Sequence, residues 1–452
     1  MTTESLSEFS AAHPTSEASG FLKVLVIAVN FPPDAEVGAK RVAGFCRYLR
    51  EFGIHPVVLT VEDRFRVLDE TVLVPEGVPV VRTSFANPLH WYRQLRVHLR
   101  RNPKVSVAKE EVPPAVPKRG FFRHQLVSLL ETPDEYWGWY FPAIRAAKEL
   151  IHTEAIAAVL SSGPPWTSHL IGRHLKKKYH IPWVADFRDP WTLDPWRRRL
   201  PPWRQYIDRR LEASCLRWAD LVPCVTDGVR SQLAEQYPAS NAKFITLTNG
   251  FDDSNSTKPR TTLQSSQRLF LHLGGLYGGR RIDTFCEALV DLIHAGIINA
   301  GTTKVLFVGP NDPVIVAAAQ QVAPELFRNN CIEFQPRVSW DEGQRFLDRA
   351  NVLLIFQGDH HCGVPAKFYE YLRTGKPIFA MVTEGDLSAM LETTCSGVWA
   401  DPKDSEDIAS KFVDVLNLPV RSSEEVERLA QLYHFRSLTK RLAGWIRILT
   451  VP

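Results

Sequence analysis

KVLVIAVN, spanning Lys23–Asn30, sets six apolar residues in a row between a lysine and an asparagine, and the chain then breaks at Phe31-Pro32-Pro33. A short continuous run of β-branched and apolar residues is the pattern of a strand buried on both faces, followed by a loop. From Gly38 to Phe52 the apolar positions fall at helical spacing (Val42, Phe45, Cys46, Leu49), and Gly53 ends the stretch. His55–Thr60, HPVVLT, reads as a second strand. The alternation resumes with helices at Ala143–His152, Thr167–Tyr179 and Leu211–Ala219, and strands at Ala157–Leu160, Trp183–Phe187 and Leu221–Val225. Strands alternating with helices mean a parallel sheet covered on both faces.

Asp252–Gln267, DDSNSTKPRTTLQSSQ, is polar, holds a proline and has little to bury, so it reads as a linker. After it the rhythm restarts. Strands are expected at Leu269–Leu273, Lys304–Val308, Ile332–Gln335, Val352–Phe356 and Pro377–Ala380. Helices are expected between them at Asp283–His294, Val314–Val322, Asp341–Ala350 and Ala366–Thr374. The expected fold class is α/β, with two Rossmann-like parallel-sheet domains facing across a cleft. The boundaries read as a flexible tail over 1–20, an N-terminal domain over 21–262, a C-terminal domain over 266–428, and a final helix over 429–452 that packs back on the N-terminal domain. Ligands bind such sheets at strand C-terminal ends.

The whole chain, 452 residues with 44% hydrophobic and 23% charged, is long enough for two or three cored domains and excludes wholesale disorder. Its net charge of +4, from 54 basic and 50 acidic side chains, is too small for a global polyanion-binding surface, so charge matters only where it clusters. Seven cysteines without a Cys-x-x-Cys pair suit a reduced, cytoplasmic protein with neither a zinc site nor a disulfide framework. No apolar run approaches the roughly 18–20 residues that span a bilayer. One segment leaves the rhythm: His90–Arg123 carries nine Lys or Arg against two acids, with aromatic residues at its ends, and reads as a basic insertion.

Chemistry concentrates in the second half. In Gly363-Val364-Pro365-Ala366-Lys367 a Gly/Pro loop opens directly into a helix, where unpaired first-turn amides at Ala366–Phe368 and the Lys367 charge suit an anion. Glu370, three residues on, is placed to accept from vicinal hydroxyls. Upstream, His272 leads through Gly274, Gly275, Gly278 and Gly279 to Arg280 and Arg281, a strand end, a loop that lets backbone approach a ligand, and two forks for phosphate oxygens. The spacing of these glycines is not the Gly-x-Gly-x-x-Gly dinucleotide pattern.

Taken in order, FPPDAEVGAKR, SSGPPW, ADFRDPW, TNGFDD, GGLYGGRRID and GVPAKFYEYLRTGKPI resemble the family 4 retaining glycosyltransferases of the two-Rossmann (GT-B) fold, most closely bacterial members that build surface glycans. The resemblance covers about residues 22–450. It implies transfer of a sugar from a nucleotide diphosphate sugar to a glycan, lipid-linked or small-molecule acceptor, with no cofactor and usually no metal. It also implies donor binding by Glu370 to the ribose, by Arg280 to the diphosphate, and by Val338 to the base. Gly38 would let the first loop approach the diphosphate, while Gly274, Gly275, Gly363 and Val364 belong to the donor loops. Three positions depart from the family. Gly275 stands for an arginine, with Arg281 or Lys367 as replacement. Arg188 precedes Asp189 where the family has histidine beside the donor sugar. Cys362 stands eight residues before Glu370, where the family has its first glutamate, leaving Asp359, His361 or main-chain amides near Gly363 to hold the sugar.

The chemistry asks for positive charge on the departing diphosphate. Arg280, Arg281, Lys367 and the helix N-terminus suit that demand; the expected catalytic group is Arg280 and Lys367 together with Arg188 and Asp189, which the resemblance sets beside the donor sugar. No carboxylate pair at the roughly 5–5.5 Å of retaining hydrolases is evident, so same-face attack, with the leaving phosphate taking the acceptor proton, is the working mechanism. Other readings stay open for several residues. Asp186, Arg188 and Asp189 can form a structural ion pair or a cleft site. Lys40 and Arg41, in a first helical turn where the dipole disfavours cations, await an anion or face solvent. Asn249-Gly250 reads as a turn. The basic-aromatic stretches His90–Arg123 and Trp196–Trp218 suit either an anionic membrane surface or a solvated face. A nucleic-acid-binding protein would use the same stretches but leaves the paired domains and the GVPAKFYEYL helix start unexplained, so no nucleic acid partner is expected. A non-catalytic sugar-nucleotide sensor is the remaining rival.

Overall fold

The computed structural model describes residues 21–34, 36–62, 68–69, 72–87, 121–194, 200–252, 267–278, 280–358 and 362–451. Most of the basic insertion, the Trp196–Arg199 cluster, Asp359 and His361 lie outside them. The first sheet is built from β1 (Leu22–Ala28), β2 (Ile54–Val61), β3 (Val80–Thr83), β4 (Ile156–Gly163), β5 (Trp183–Phe187), β6 (Val222–Cys224) and β7 (Phe244–Thr246). Its helices are α1 (Val37–Leu49), α2 (Phe121–Leu130), α3 (Tyr140–Thr153), α4 (Thr167–Tyr179), α5 (Pro202–Trp218) and α6 (Asp227–Gln236). Strand order is β3-β2-β1-β4-β5-β6-β7, with every ladder parallel. KVLVIAVN supplies an interior strand, β1 between β2 and β4, and its side chains are buried on both faces because helices cover both.

The second sheet holds β8 (Arg268–Leu273), β9 (Thr303–Val308), β10 (Ile332–Gln335), β11 (Val352–Gly358), β12 (Ile378–Val382) and β13 (Gly397–Ala400), in the parallel order β10-β9-β8-β11-β12-β13. Around it run α7 (Asp283–His294), α8 (Pro313–Val322), α9 (Pro324–Arg328), α10 (Trp340–Arg349), α11 (Ala366–Leu372), α12 (Asp386–Thr393), α13 (Ser405–Leu416) and α14 (Ser423–Tyr433). The α/β reading with two parallel sheets is therefore correct. In each sheet the strand order reverses once, between β1 and β4 and between β8 and β11. Such switch points leave a crevice at the strand C-terminal ends, and the motif loops FPPDAEV, SSGPPW and GGLYGG leave from those ends.

The chain finishes on the first domain. In α15 (Phe435–Thr450), Phe435, Leu438, Leu442 and Ile446 share a buried cluster with Val24, Val26, Val42 and Phe45. Gly44 on α1 lets this happen, since a Cβ there would come within 2.6 Å of the Phe435 ring. At the crossing, Phe251 and His434 lie side by side: Phe251 N–H donates to Tyr433 O at 3.2 Å and Phe435 N–H to Phe251 O at 2.9 Å.

Candidate active site

On the N-terminal side the loops after β1, β4 and β5 converge. Trp166 of SSGPPW stacks on Trp191 of ADFRDPW, rings 4.9 Å apart and within 3° of parallel, so the two loops are packed as one body. Gly38 lies in the first turn of α1, not on a loop, which corrects the sequence reading. The space its missing side chain leaves is filled by the Arg188 guanidinium, which also donates to Pro164 O. Asp189 beside it is solvent-exposed by area, yet the protein packed around it lifts its carboxyl to about 6, against the opposing pull of Arg188.

Arg41 faces an anion of the protein itself, the Asp186 carboxylate, and not solvent, which decides between the two readings. It is buried and bonds Asp186 through Nη2 at 2.7 Å and Nε at 3.1 Å. Its remaining donors go to Leu247 O, Thr248 O and Asn249 Oδ1. Asp186 takes Ser162 Oγ–H at 2.8 Å. Asn249 of the TNG motif is thus part of the Arg41 cradle, on irregular backbone leading to Phe251 and not in the expected turn. Burial by itself would lift the Asp186 carboxyl, but Arg41 and the Ser162 hydroxyl outweigh it and hold it below the ordinary carboxylate range.

On the C-terminal side, Lys367 lies against the backbone of Gly274, where a Cβ would sit 2.5 Å from Nζ, and Gly274 holds φ +134°, a conformation open to glycine. Lys367 Nζ is 3.1 Å from Nε2 of His272, which is fully buried at the end of β8. Arg280 stands nearby, stacked 4.1 Å over the Tyr277 ring and donating to Gly275 O at 3.1 Å. Burial first, and then Arg280, push the Lys367 amine down to about 7. Arg281 is not part of this group: it pairs with Asp283 at the start of α7 and stays 70% exposed. The amides of α11 are less free than the Gly/Pro loop suggests, because Phe368 N–H already bonds Pro365 O at 2.9 Å.

One turn along α11, Glu370 faces the cleft beside Lys40, Arg47, Asp252 and Trp340. Its Oε2 is buried and accepts no hydrogen bond, with Arg373 Nε 3.7 Å away. Lys40 reaches across from α1 to lie 5.6 Å over the Trp340 ring. Val338 and Val364 pack on the apolar cluster behind α11. Gly363, at φ +103°, donates its N–H to Asp386 Oδ2 at 2.7 Å while Gly228 N–H of the N-terminal domain donates to Asp386 Oδ1 at 3.0 Å. Cys362 takes a bond from Gln232 Nε2 at 2.8 Å and packs on the N-terminal core. Sequence reasoning gave no role to Asp386, Gln232, Trp340 or His272. Only Asp386, following glycine after a strand, carries a recognisable helix-start signal. Among the described residues no group of three or more His, Cys, Asp or Glu is arranged to hold a metal ion.

Residues 100–255 match the family model described as Glycosyltransferase Family 4. Among solved structures, sucrose-phosphate synthase from Thermosynechococcus elongatus superposes with a TM-score of 0.61 at 14% identity, covering 95% of this chain and 99% of that one. The fold is GT-B. The catalytic domain of Arabidopsis thaliana starch synthase IV, bound to ADP and acarbose, gives a TM-score of 0.61 at 11% identity, over 95% and 100% of the two chains. Anabaena HepE in complex with UDP gives 0.58 at 13% identity, over 95% and 97%. No curated protein matches the sequence. The resemblance to family 4 GT-B proteins therefore stands, and the crevice between the two switch points is the GT-B cleft.

Proposed function

We propose that this GT-B protein transfers a sugar from a nucleotide diphosphate sugar, without a metal and with retention, to a glycan or lipid-linked acceptor of a bacterial surface polymer. The observation that carries the reading is a pair of unmet demands one helical turn apart. Glu370 presents a buried carboxylate oxygen that accepts no hydrogen bond, with only Arg373 near it, and Lys367 presents an amine with no carboxylate partner among the described residues. A ribose diol followed by a diphosphate meets both. Lys367 and Arg280 would then stabilise the departing phosphates, which is where negative charge grows. Gly274 and Gly275 bring backbone close to the same group, Val338 lines the base side, and Gly363 and Val364 flank the sugar. Across the cleft Arg188 and Asp189, seated by Gly38, face the sugar and the incoming hydroxyl. The leaving phosphate takes the acceptor proton in a same-face attack.

HepE was solved with UDP and starch synthase IV with ADP, so uridine and adenine donors are the first to test. A thermal-shift screen against UDP-, ADP-, GDP- and CMP-sugars reads binding directly, since a ligand of the native state raises Tm. Release of labelled sugar by the wild type but not by Glu370→Ala supports catalysis. Absence of any shift overturns the reading.

One observation favours a second reading. Where the family has its first sugar-binding glutamate, Cys362 is bonded by Gln232 and offers no carboxylate. Binding of a sugar nucleotide without turnover supports a sensor that has kept the fold and lost the transfer.

We further propose that the acceptor lies at the cytoplasmic side of an anionic membrane. Supporting this, Leu129, Phe141 and Tyr206 are exposed on α2, α3 and α5, and α5 also exposes Arg209 and Arg210. Arg204 of the same helix is excluded from that surface, being buried against Asp208, Ser128 O and Pro133 O. No described helix is long and apolar enough to cross a membrane. Pelleting with phosphatidylglycerol vesicles, lost on Leu129→Ser with Phe141→Ser, tests it; unchanged pelleting removes this surface from the account.

A further inference from the structure

We propose that His272 is a positioning residue that holds the Lys367 amine over Gly274, and that a sugar nucleotide entering this site draws one proton from solvent onto that amine. The inference rests on the donor reading given above.

The orientation of His272 follows from what it touches. Its Nδ1 lies 2.9 Å from Leu354 O. A carbonyl oxygen only accepts, so the ring proton sits on Nδ1 and Nε2 keeps its lone pair. A second ring proton is opposed by burial and by the Lys367 and Arg280 charges, which together hold the imidazole well below its usual range although the Leu354 and Gly275 carbonyls pull the other way. The Nε2 lone pair therefore faces Lys367 Nζ at 3.1 Å, and the imidazole acts as a fixed acceptor that aims the amine.

The amine it aims is short of compensation. Among the described residues the groups around Lys367 are His272 at the end of β8 and Arg280 from the following loop, one neutral and one positive. On its own helix Glu370 is turned to Arg373, and on α12 Asp386 is spent on the Gly228 and Gly363 amides. No described carboxylate bonds to Lys367. With the amine lowered to about 7, the empty site sheds part of its charge near neutral pH. A diphosphate reverses this, because two anionic phosphates beside the amine favour the ammonium. Each phosphate of a sugar nucleotide carries one ester and one anhydride link and does not titrate near neutrality, so the proton taken up lands on the protein.

Linkage fixes the sign. A group whose affinity for protons rises on binding makes ligand affinity fall as pH climbs above its empty-site value, approaching about tenfold per pH unit. The test is calorimetric titration of the full chain with UDP-glucose and ADP-glucose, in buffers of different ionisation enthalpy, between about pH 6 and pH 9. The wild type should take up about half a proton near pH 7 and nearly one at about pH 8.5. Lys367→Arg should bind with no uptake, since a guanidinium stays charged, and Lys367→Met should also show none.

His272→Phe, which removes the acceptor, should weaken binding and move the uptake curve to lower pH. His272→Asn, whose amide oxygen accepts, should restore it, with His272→Gln as the second choice if Asn melts early. Binding by the wild type without uptake overturns the proton coupling alone, as does wild-type uptake in Lys367→Arg. An unchanged uptake curve in His272→Phe overturns the positioning role. Failure of every sugar nucleotide to bind overturns the donor reading and this inference with it.

Discussion

Gly38 and Arg188 occupy one space: the guanidinium lies where a side chain on Gly38 would begin. Gly38→Ala should therefore push Arg188 out of the cleft while α1 stays intact. A displacement of about an ångström at a reacting group costs on the order of 10²-fold in rate. Donor turnover should fall by about that factor with Tm nearly unchanged. Six residues along the same helix, Gly44→Ala strikes the Phe435 ring instead. That variant should lose about 1–3 kcal/mol of stability and keep its turnover per folded molecule. Urea unfolding and initial rates on both variants separate the two effects.

The Arg41–Asp186 pair is the structural heart of the N-terminal cleft wall. Asp186→Ala leaves a buried guanidinium without its carboxylate, which costs about 3–5 kcal/mol. The pH dependence follows from the depressed Asp186 carboxyl. Its contribution is fully present above the ordinary carboxylate range and is lost as pH falls through the lower folded value. Acid unfolding curves of the wild type should steepen there, and the steepening should vanish in the variant.

Asp189 should govern the acid limb of the reaction. With its carboxyl raised to about 6 by the protein packed around it, the charged form disappears as pH drops through that value. Initial rates under saturating acceptor should fall below about pH 6. Asp189→Asn should lower the plateau and flatten that limb.

Asp386 ties the two domains by accepting the Gly228 and Gly363 amides. A Cβ on Gly228 would come within 2.5 Å of its Oδ1. Gly228→Ala should shift the protein toward an open form, seen as a larger radius of gyration in small-angle scattering, with little change in Tm. An unchanged scattering profile removes the latch.

How much of this was legible in the sequence depends on how local the cause is. KVLVIAVN and the other interior strands were readable because a strand buried on both faces is apolar throughout. The edge strands β3, β7 and β13 were missed, since VVRT, FIT and GVWA are short and only partly buried. Helix α5 starts at Pro202, nine residues before the expected Leu211, because Arg204 and Asp208 form a buried pair where periodicity looks for apolar residues. In the candidate site, the strand end before Arg280 and the helix start that carries Lys367 were readable from loop chemistry. The Arg41 cradle, the Gln232–Cys362 bond and the Asp386 latch join residues more than a hundred positions apart, and no single stretch encodes them. Arg281 was misjudged for the opposite reason: its partner Asp283 lies two residues on and captures it.

Helix α15 has a further consequence for how the molecule is made. It fills the apolar face of α1 and β1 with Phe435, Leu438, Leu442 and Ile446, so the first sheet is closed by a helix that is translated only after the whole second sheet. During synthesis the N-terminal sheet waits with one greasy side uncovered while the whole C-terminal unit is translated and folds. Ribosome-bound intermediates halted after β13 should accordingly bind a hydrophobic dye and yield to protease within α1, and protection should arrive abruptly once α15 has emerged.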